Sequence, residues 1–342
     1  MIQPLAGGPE ISVLLYTPHH VSVLEPLLCA LRAQTARDRI ELVITIRSRE
    51  VFGATESSLH GLGRVVIVES ESADALVSGR IAALRAATAP VMAFAEDHCF
   101  PDPCWAQRLI DGHRGEWVGV APAMRNANPR TVLSRSMFLL HFGRWAEGTA
   151  AGEMPLLPSH NSSFKRAALM ELLDELPELL MVEHFLHARL VARGYRLLFD
   201  PGAVVSHCNV SRVRPWLSTA LVGGRIYGSS RVRHEGMSRM RRLVLALASP
   251  LIPLVRTWRA MIDMRRIHPR AGEQLALLPL TIAAIVIHTA GEVMAYAAGA
   301  GDATRRYANI EISRFRDMAP SDVVLVRGTA SPALPEAAFT AT

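Results

Sequence analysis

The chain has 342 residues, half of them hydrophobic, with a formal net charge of +6 and a mean hydropathy of +0.20. That length allows one large domain with an appendage, or two modest domains, and the basic balance favours anionic partners such as phosphorylated small molecules or an acidic lipid surface. Aromatic residues make up only 6% and are not interleaved with the arginines, which excludes the stacking platforms of a single-strand nucleic-acid binder.

Residues 1–10 lack the basic and apolar regions of a cleavable signal, so the catalytic part is expected in the cytoplasm. Ile11 to Tyr16 is a short apolar run that predicts a buried strand, broken by Thr17-Pro18. Val21 to Gln34 has helical periodicity, with Leu24, Leu27, Leu28 and Leu31 on one face. Strands are predicted over Glu41 to Ile46, Arg64 to Glu69 and Val91 to Ala95, with a helix over Ala73 to Ala87 before the last. Strands alternating with helices predict a parallel α/β sheet, whose ligands lie beyond the carboxyl ends of its strands. Glu96-Asp97-His98 stands in that position, and Asp102-Pro103 reads as the cap and first turn of the next helix.

Residues 117–152 read as irregular. A helix is predicted over Arg166 to Glu175 and another over Glu183 to Arg193, stopped by Gly194. Two strands, Tyr195 to Phe199 and Ala203 to Ser206, are predicted around a turn at Asp200-Pro201-Gly202. Residues 212–242 then carry eight arginines and no lysine. Two apolar stretches follow, Leu243 to Val255 and Leu275 to Tyr296, separated by a basic segment. Each is interrupted by proline or a polar residue, which predicts interfacial or re-entrant helices on an anionic membrane surface, or a helical appendage covering the domain. From Pro320 the composition predicts disorder. The four cysteines match no zinc spacing and are expected as reduced packing residues, with Cys99 adjoining the acidic motif.

The order of several motifs resembles family 2 glycosyltransferases of the GT-A fold, over about residues 11–236. They are Leu31-Arg32-Ala33-Gln34-Thr35, Gly79-Arg80 with Ala86-Ala87-Thr88, and Phe94-Ala95-Glu96-Asp97-His98 with Pro101-Asp102-Pro103-Cys104-Trp105. His160-Asn161-Ser162-Ser163-Phe164-Lys165-Arg166, Glu183 with Arg189-Leu190, Gly194-Tyr195, and the strand-ending His207 continue the series. The resemblance implies a Rossmann-like mixed α/β sheet flanked by helices at residues 1–236, a helical membrane-associating appendage at 237–318 and a tail at 319–342. It implies sugar transfer from a nucleotide-diphosphate donor to a lipid-linked or polysaccharide acceptor at the cytoplasmic face of the cell membrane.

Such a reaction needs charge stabilisation on the departing diphosphate and a base for the acceptor hydroxyl. By the resemblance, Glu96, His98 and His207 hold a divalent metal (Mn or Mg) on the diphosphate. Glu96 and His98 stand where the family has two aspartates; the His98 imidazole is a departure and favours a transition metal. Glu183 is the candidate base and His184 its fallback; the family has a paired acid where this chain has Glu183-His184. Thr17, Pro18, Arg80, Asp97 and Arg225 are candidate donor contacts, and Arg47 could also reach phosphate. Asn161 reads either as a sugar contact or as a helix cap. A degenerate transferase acting as a membrane-bound scaffold is the competing expectation. Nucleotidyl transfer is disfavoured, because no glycine-rich phosphate loop follows the first strand.

Overall fold

The computed structural model describes residues 7–70, 75–268 and 270–330. Among them, the chain divides into two compact units. The first comprises 7–125, 149–208 and 326–330, and the second 126–148 and 209–325.

The first unit is built on a mixed sheet. Its strands are β1 (Ile11–Thr17), β2 (Ile40–Ile46), β3 (Arg64–Glu69), β4 (Val91–Phe94), β5 (Cys99–Pro101), β6 (Gly119–Asn126), β7 (Gly152–Glu153), β8 (Ser163–Lys165) and β9 (Leu197–His207). They run in the order β3-β2-β1-β4-β8-β6-β9-β5, with β7 also on β9. The strands β3, β2, β1 and β4 are parallel, and β8 returns antiparallel to β4. Every residue of β1 and of β2 is buried, which is why their apolar runs are continuous instead of alternating. Two polar side chains inside these strands are satisfied internally. The buried Glu41 carboxylate accepts from Ser12 Oγ at 2.5 Å, from Thr88 N at 2.7 Å and from Thr88 Oγ1 at 2.8 Å. Thr45 Oγ1 donates to Gly79 O at 2.9 Å.

That last bond fixes the helix Ala75–Ala86 on the sheet. Residues 73–74, where the sequence started this helix, lie outside the described residues. A Cβ on Gly79 would stand 2.4 Å from Tyr16 Cδ2, so only glycine lets the helix come this close. The approach carries the next residue, Arg80, into the interior, where it is 1% exposed.

Sequence and structure differ at four places in or near this unit. The stretch read as irregular holds β6 and the helix Val132–Phe142. The predicted strand pair around Asp200-Pro201-Gly202 is one strand, β9. Asp200 Oδ1 accepts from Gly202 N at 2.9 Å and from Arg108 at 2.7 Å. Pro201 falls between the residues paired with β7 and those paired with β5. Asp102 does not cap the helix Trp105–His113; Cys104 occupies that position, and the Asp102 carboxylate takes both arms of Arg125 at 3.0 Å. The helix expected over 166–175 ends at Met170, and a short helix follows at Leu176–Leu179.

The second unit is helical. Val213–His234 packs against Ala271–Ala298 through glycines: a Cβ on Gly224 would meet His288 O at 1.9 Å, and one on Gly291 would meet Leu221 O at 2.2 Å. Such backbone contact is what small residues permit between helices. It also draws Val213–His234, which the sequence division placed in the domain 1–236, into this unit. Two helical runs, Arg239–Ile267 of 29 residues and Ala271–Ala298 of 28, are long and apolar enough to cross a membrane by length and composition. The sequence reading took each uninterrupted apolar run as shorter than a span, broken further by Pro250, Pro253, Pro279, His288 and Glu292. Pro250 and Pro253 fall in first turns, where a missing N–H breaks no helical bond. Pro279 lies inside the second run. The expected disorder from Pro320 is corrected over Pro320–Ala330, which is helical. Asp322 is the reason, accepting from Arg130 N at 3.0 Å and Thr131 Oγ1 at 2.9 Å. Residues 331–342 lie outside the described residues.

Candidate active site

β4 ends at Phe94, and the chain turns through Glu96-Asp97-His98 into β5. β5 pairs antiparallel with the end of β9 in a register that sets Cys99 opposite His207. This pairing brings the strand-ending histidine onto the acidic motif. Glu96 Oε2 is the hub. Asn161 Nδ2 donates to it at 3.2 Å and Cys99 Sγ at 3.4 Å, while Nε2 of His98 and Nε2 of His207 each stand 3.7 Å away. One donor atom from each of Glu96, His98, Cys99 and His207 lies within 4.8 Å of the others. Asp97 Oδ1 holds His98 Nδ1 at 2.8 Å, the carboxylate–imidazole pairing that orients a metal-ligating ring. Glu96 Oε1 is buried without a hydrogen-bond partner, an acceptor oxygen left over for a cation. Oxygen, two imidazoles and a sulfur together fit a transition-metal ion better than Mg2+. Cys99, expected as packing, belongs to this donor set; burial first, then the Glu96 charge, push its thiol pKa well up.

Glu183 opens the helix Glu183–Ala192 and is 1% exposed. Its Oε1 stands 3.1 Å from Arg80 Nη1 and 3.0 Å from His160 Nδ1, and its Oε2 accepts from His160 N at 2.8 Å. His160 holds this position with φ +70°, a left-handed conformation uncommon outside glycine. Burial alone would raise the Glu183 pKa, but the charge and hydrogen bonds of His160, together with Arg80, hold it down to about 2. Burial and Arg80 pull the His160 pKa down; Glu183 and Glu96 outweigh them, and it is raised. The same ring nitrogen, His160 Nδ1, also stands 2.6 Å from Arg80 Nη1, so the imidazole and the guanidinium converge on one carboxylate. The other end of Arg80, Nη2, faces Glu96 Oε1 at 3.8 Å. One buried guanidinium thus links the acidic–histidine cluster to Glu183.

The remaining expected site residues separate into two groups. Thr17 ends β1, buried, with Oγ1 accepting from His19 N at 3.2 Å, and Pro18 follows half-buried. Asn161 does not cap a helix, because Lys165 occupies that position for Arg166–Met170; its amide serves Glu96. His184 is half-buried, and burial lowers its pKa. Arg47 is exposed. Arg225 belongs to the second unit, where its Nε donates to Gly299 O at 2.9 Å. Sequence reasoning missed His160 as an ion-pair partner, and also His187. The His187 ring stacks on Phe164 at 5.8 Å, with neither nitrogen hydrogen-bonded.

Two buried histidines set a pH limit. Burial lowers the pKa of His187 and of His113 from 6.5 to about 4. The unfolded chain binds protons that the folded state refuses, so stability should fall as pH drops from about 6.5 to 4, on the order of 3 kcal/mol per histidine. Denaturant titrations between pH 7 and 4 should show this slope reduced in His187→Leu; an unchanged slope would remove His187 from the account.

No protein-family model matches the sequence, and no curated protein matches it. Among solved structures, the chain is similar to the mannosyltransferase PcManGT from Pyrobaculum calidifontis, solved with GDP-Man and Mn2+. Identity is 14%, the match covers 85% of this chain and 89% of that one, and the TM-score is 0.50. The fold is GT-A-like. Two structures of S. aureus TarS 1-349 also align, each with a TM-score of 0.43. The one solved with UDP has 16% identity and covers 85% of this chain and 92% of its own. The other has 17% identity and covers 89% and 90%.

Proposed function

We propose that the chain is a family 2 type glycosyltransferase that moves a sugar from a nucleoside-diphosphate donor to a hydroxyl acceptor. The observation that carries this reading is Arg80, which joins Glu96 of the metal-fitting cluster to Glu183 within one buried constellation. The GT-A-like fold supports it, and so does PcManGT, a structure of that fold holding GDP-Man and Mn2+.

Glu96, His98 and His207 would hold a divalent metal, with Asp97 orienting His98. When bound, that ion supplies positive charge to the departing diphosphate. Arg80 adds a guanidinium beside it, in an interior where charge interactions are stronger than in water. Glu183 is the base. Its pairing with Arg80 and His160 keeps it ionised at all physiological pH values and also weakens it as a proton acceptor. An anionic donor that draws Arg80 away restores its basicity. Glu96, Asp97, His98, His207 and Glu183 are each no more than 5% exposed, an enclosure that keeps bulk water from these groups. The apolar helical runs and the arginine-rich segment support a membrane-bound enzyme at the cytoplasmic face, acting on a lipid-linked or cell-envelope acceptor.

The test is hydrolysis or transfer of nucleotide sugars with Mn2+, run beside Glu96→Ala. Activity in the native chain and its loss in the variant are expected. Inactivity of both across UDP- and GDP-sugars would favour the scaffold reading.

A further inference from the structure

The first unit has a cavity of about 530 Å3 at the amino ends of β1 and β4. It lies at the sheet edge opposite to Glu96-Asp97-His98, which follow the carboxyl end of β4. A volume of that order holds a small organic ligand. The antiparallel register of β4 and β8 sets Val91 opposite Lys165, and Arg166 N donates to Pro90 O at 2.8 Å. Those two pairings bring Lys165 and Arg166 to the cavity wall. The end of the helix Trp105–His113 supplies Ile110, His113 and Arg114.

The charges of this lining do not cancel. Arg166 Nε is buried without a hydrogen-bond partner, and no carboxylate pairs with its guanidinium among the described residues. Lys165 Nζ donates to Gly115 O at 2.7 Å, a neutral partner that leaves its charge in place. Arg114 pairs with Asp111 at 3.1 Å, both side chains well exposed, and the lining Glu10 pairs with Arg39 at 2.5 Å. Burial drops the His113 pKa to about 4, so its ring adds no charge at neutral pH. With each partner counted, four cations stand against two carboxylates. A phosphate monoester carries a matching negative charge near neutral pH, and guanidinium forks suit its oxygens. Beside the charges the wall is apolar: Ala89, Val91 and Ile110 are each no more than 6% exposed.

We propose that this cavity binds a small, water-soluble organic phosphate monoester. The phosphate lies among Arg114, Lys165 and Arg166, and the organic group lies against Ala89, Val91 and Ile110. Because β4 separates this cavity from the metal-fitting cluster, the binding does not rest on the function proposed above.

The experiment is calorimetric titration of the full-length chain, with divalent metal chelated and no nucleotide sugar present. The probes are phenyl phosphate, phenol and inorganic phosphate. Phenyl phosphate should bind at least tenfold tighter than either of the others. Arg166→Ala should weaken it about tenfold, the weight of a charge-assisted hydrogen bond. Arg114→Ala, at a side chain 65% exposed, should weaken it several-fold and keeps the test open if Arg166→Ala does not fold. Ala167→Phe, which fills the cavity from an exposed lining position, should weaken it tenfold or more. Arg37→Ala, an exposed cation outside the cavity, should bind like the native chain. Equal binding of phenol would show apolar partition, and equal binding of inorganic phosphate would show a bare charged patch. Equal loss in Arg37→Ala would show attraction to net charge alone, and native-like binding by the three cavity variants would place the ligand elsewhere. Each of these four results overturns the proposal, and none depends on transferase activity.

Discussion

Arg80→Met is expected to destabilise the protein by about 3–5 kcal/mol, the cost of removing one partner from a buried ion pair. Arg80 is 1% exposed and stands 3.1 Å from Glu183 and 3.8 Å from Glu96. Methionine fills much of the same space but leaves the buried Glu183 carboxylate with His160 and takes the guanidinium away from Glu96 Oε1. Urea unfolding at pH 7 measures the loss. Adding Glu183→Gln should recover part of it, because the double variant no longer buries that uncompensated charge. A single-variant loss below about 1 kcal/mol would mean that the guanidinium does not hold the carboxylates together, and the link between the two halves of the site would fail.

The second large effect is Glu183→Gln. Nucleotide-sugar turnover should fall by about 10²–10⁴-fold, the usual contribution of a positioned base, while donor affinity stays within a few-fold of the native value. The same variant carries a stability signature. The folded pKa of Glu183 is about 2 against an ordinary 4.5. Its ionised form therefore contributes stability that is present above pH 4.5 and is lost as pH falls towards 2. The glutamine variant should lack that acid step. Native turnover by Glu183→Gln would transfer the role of base to another group, with His184 the next to test.

The parallel half of the sheet is legible in the sequence because β1 and β2 are buried on both faces, so their residues read as unbroken apolar runs. The position of Glu96-Asp97-His98 is legible for the same reason: ligands of such sheets gather at strand ends. The arrangement around them is not. Cys99 joins His207 only through the antiparallel register of β5 and β9, which no local pattern encodes. Arg80 reaches Glu183 across 103 positions of chain, and Gly79, which permits it, shows its purpose only against Tyr16. β6 escaped notice because Gly119 and Pro122 interrupt its apolar alternation. Gly119 is required there, since a Cβ would stand 2.7 Å from Leu197 Cδ2. In the second unit, Pro250 and Pro253, which look like breaks, sit in first helical turns, and Asp322 orders a segment whose composition alone predicts disorder.

Thermal unfolding with UDP- and GDP-sugars, in the presence and absence of Mn2+, bears most directly on the cluster as the donor-binding metal site. A ligand that binds the folded state at about 100 times its Kd stabilises it by about 2.7 kcal/mol. At least one nucleotide sugar should raise the melting temperature with the metal, by less without it, and not at all in Glu96→Ala. A metal-dependent rise of equal size in Glu96→Ala would contradict it.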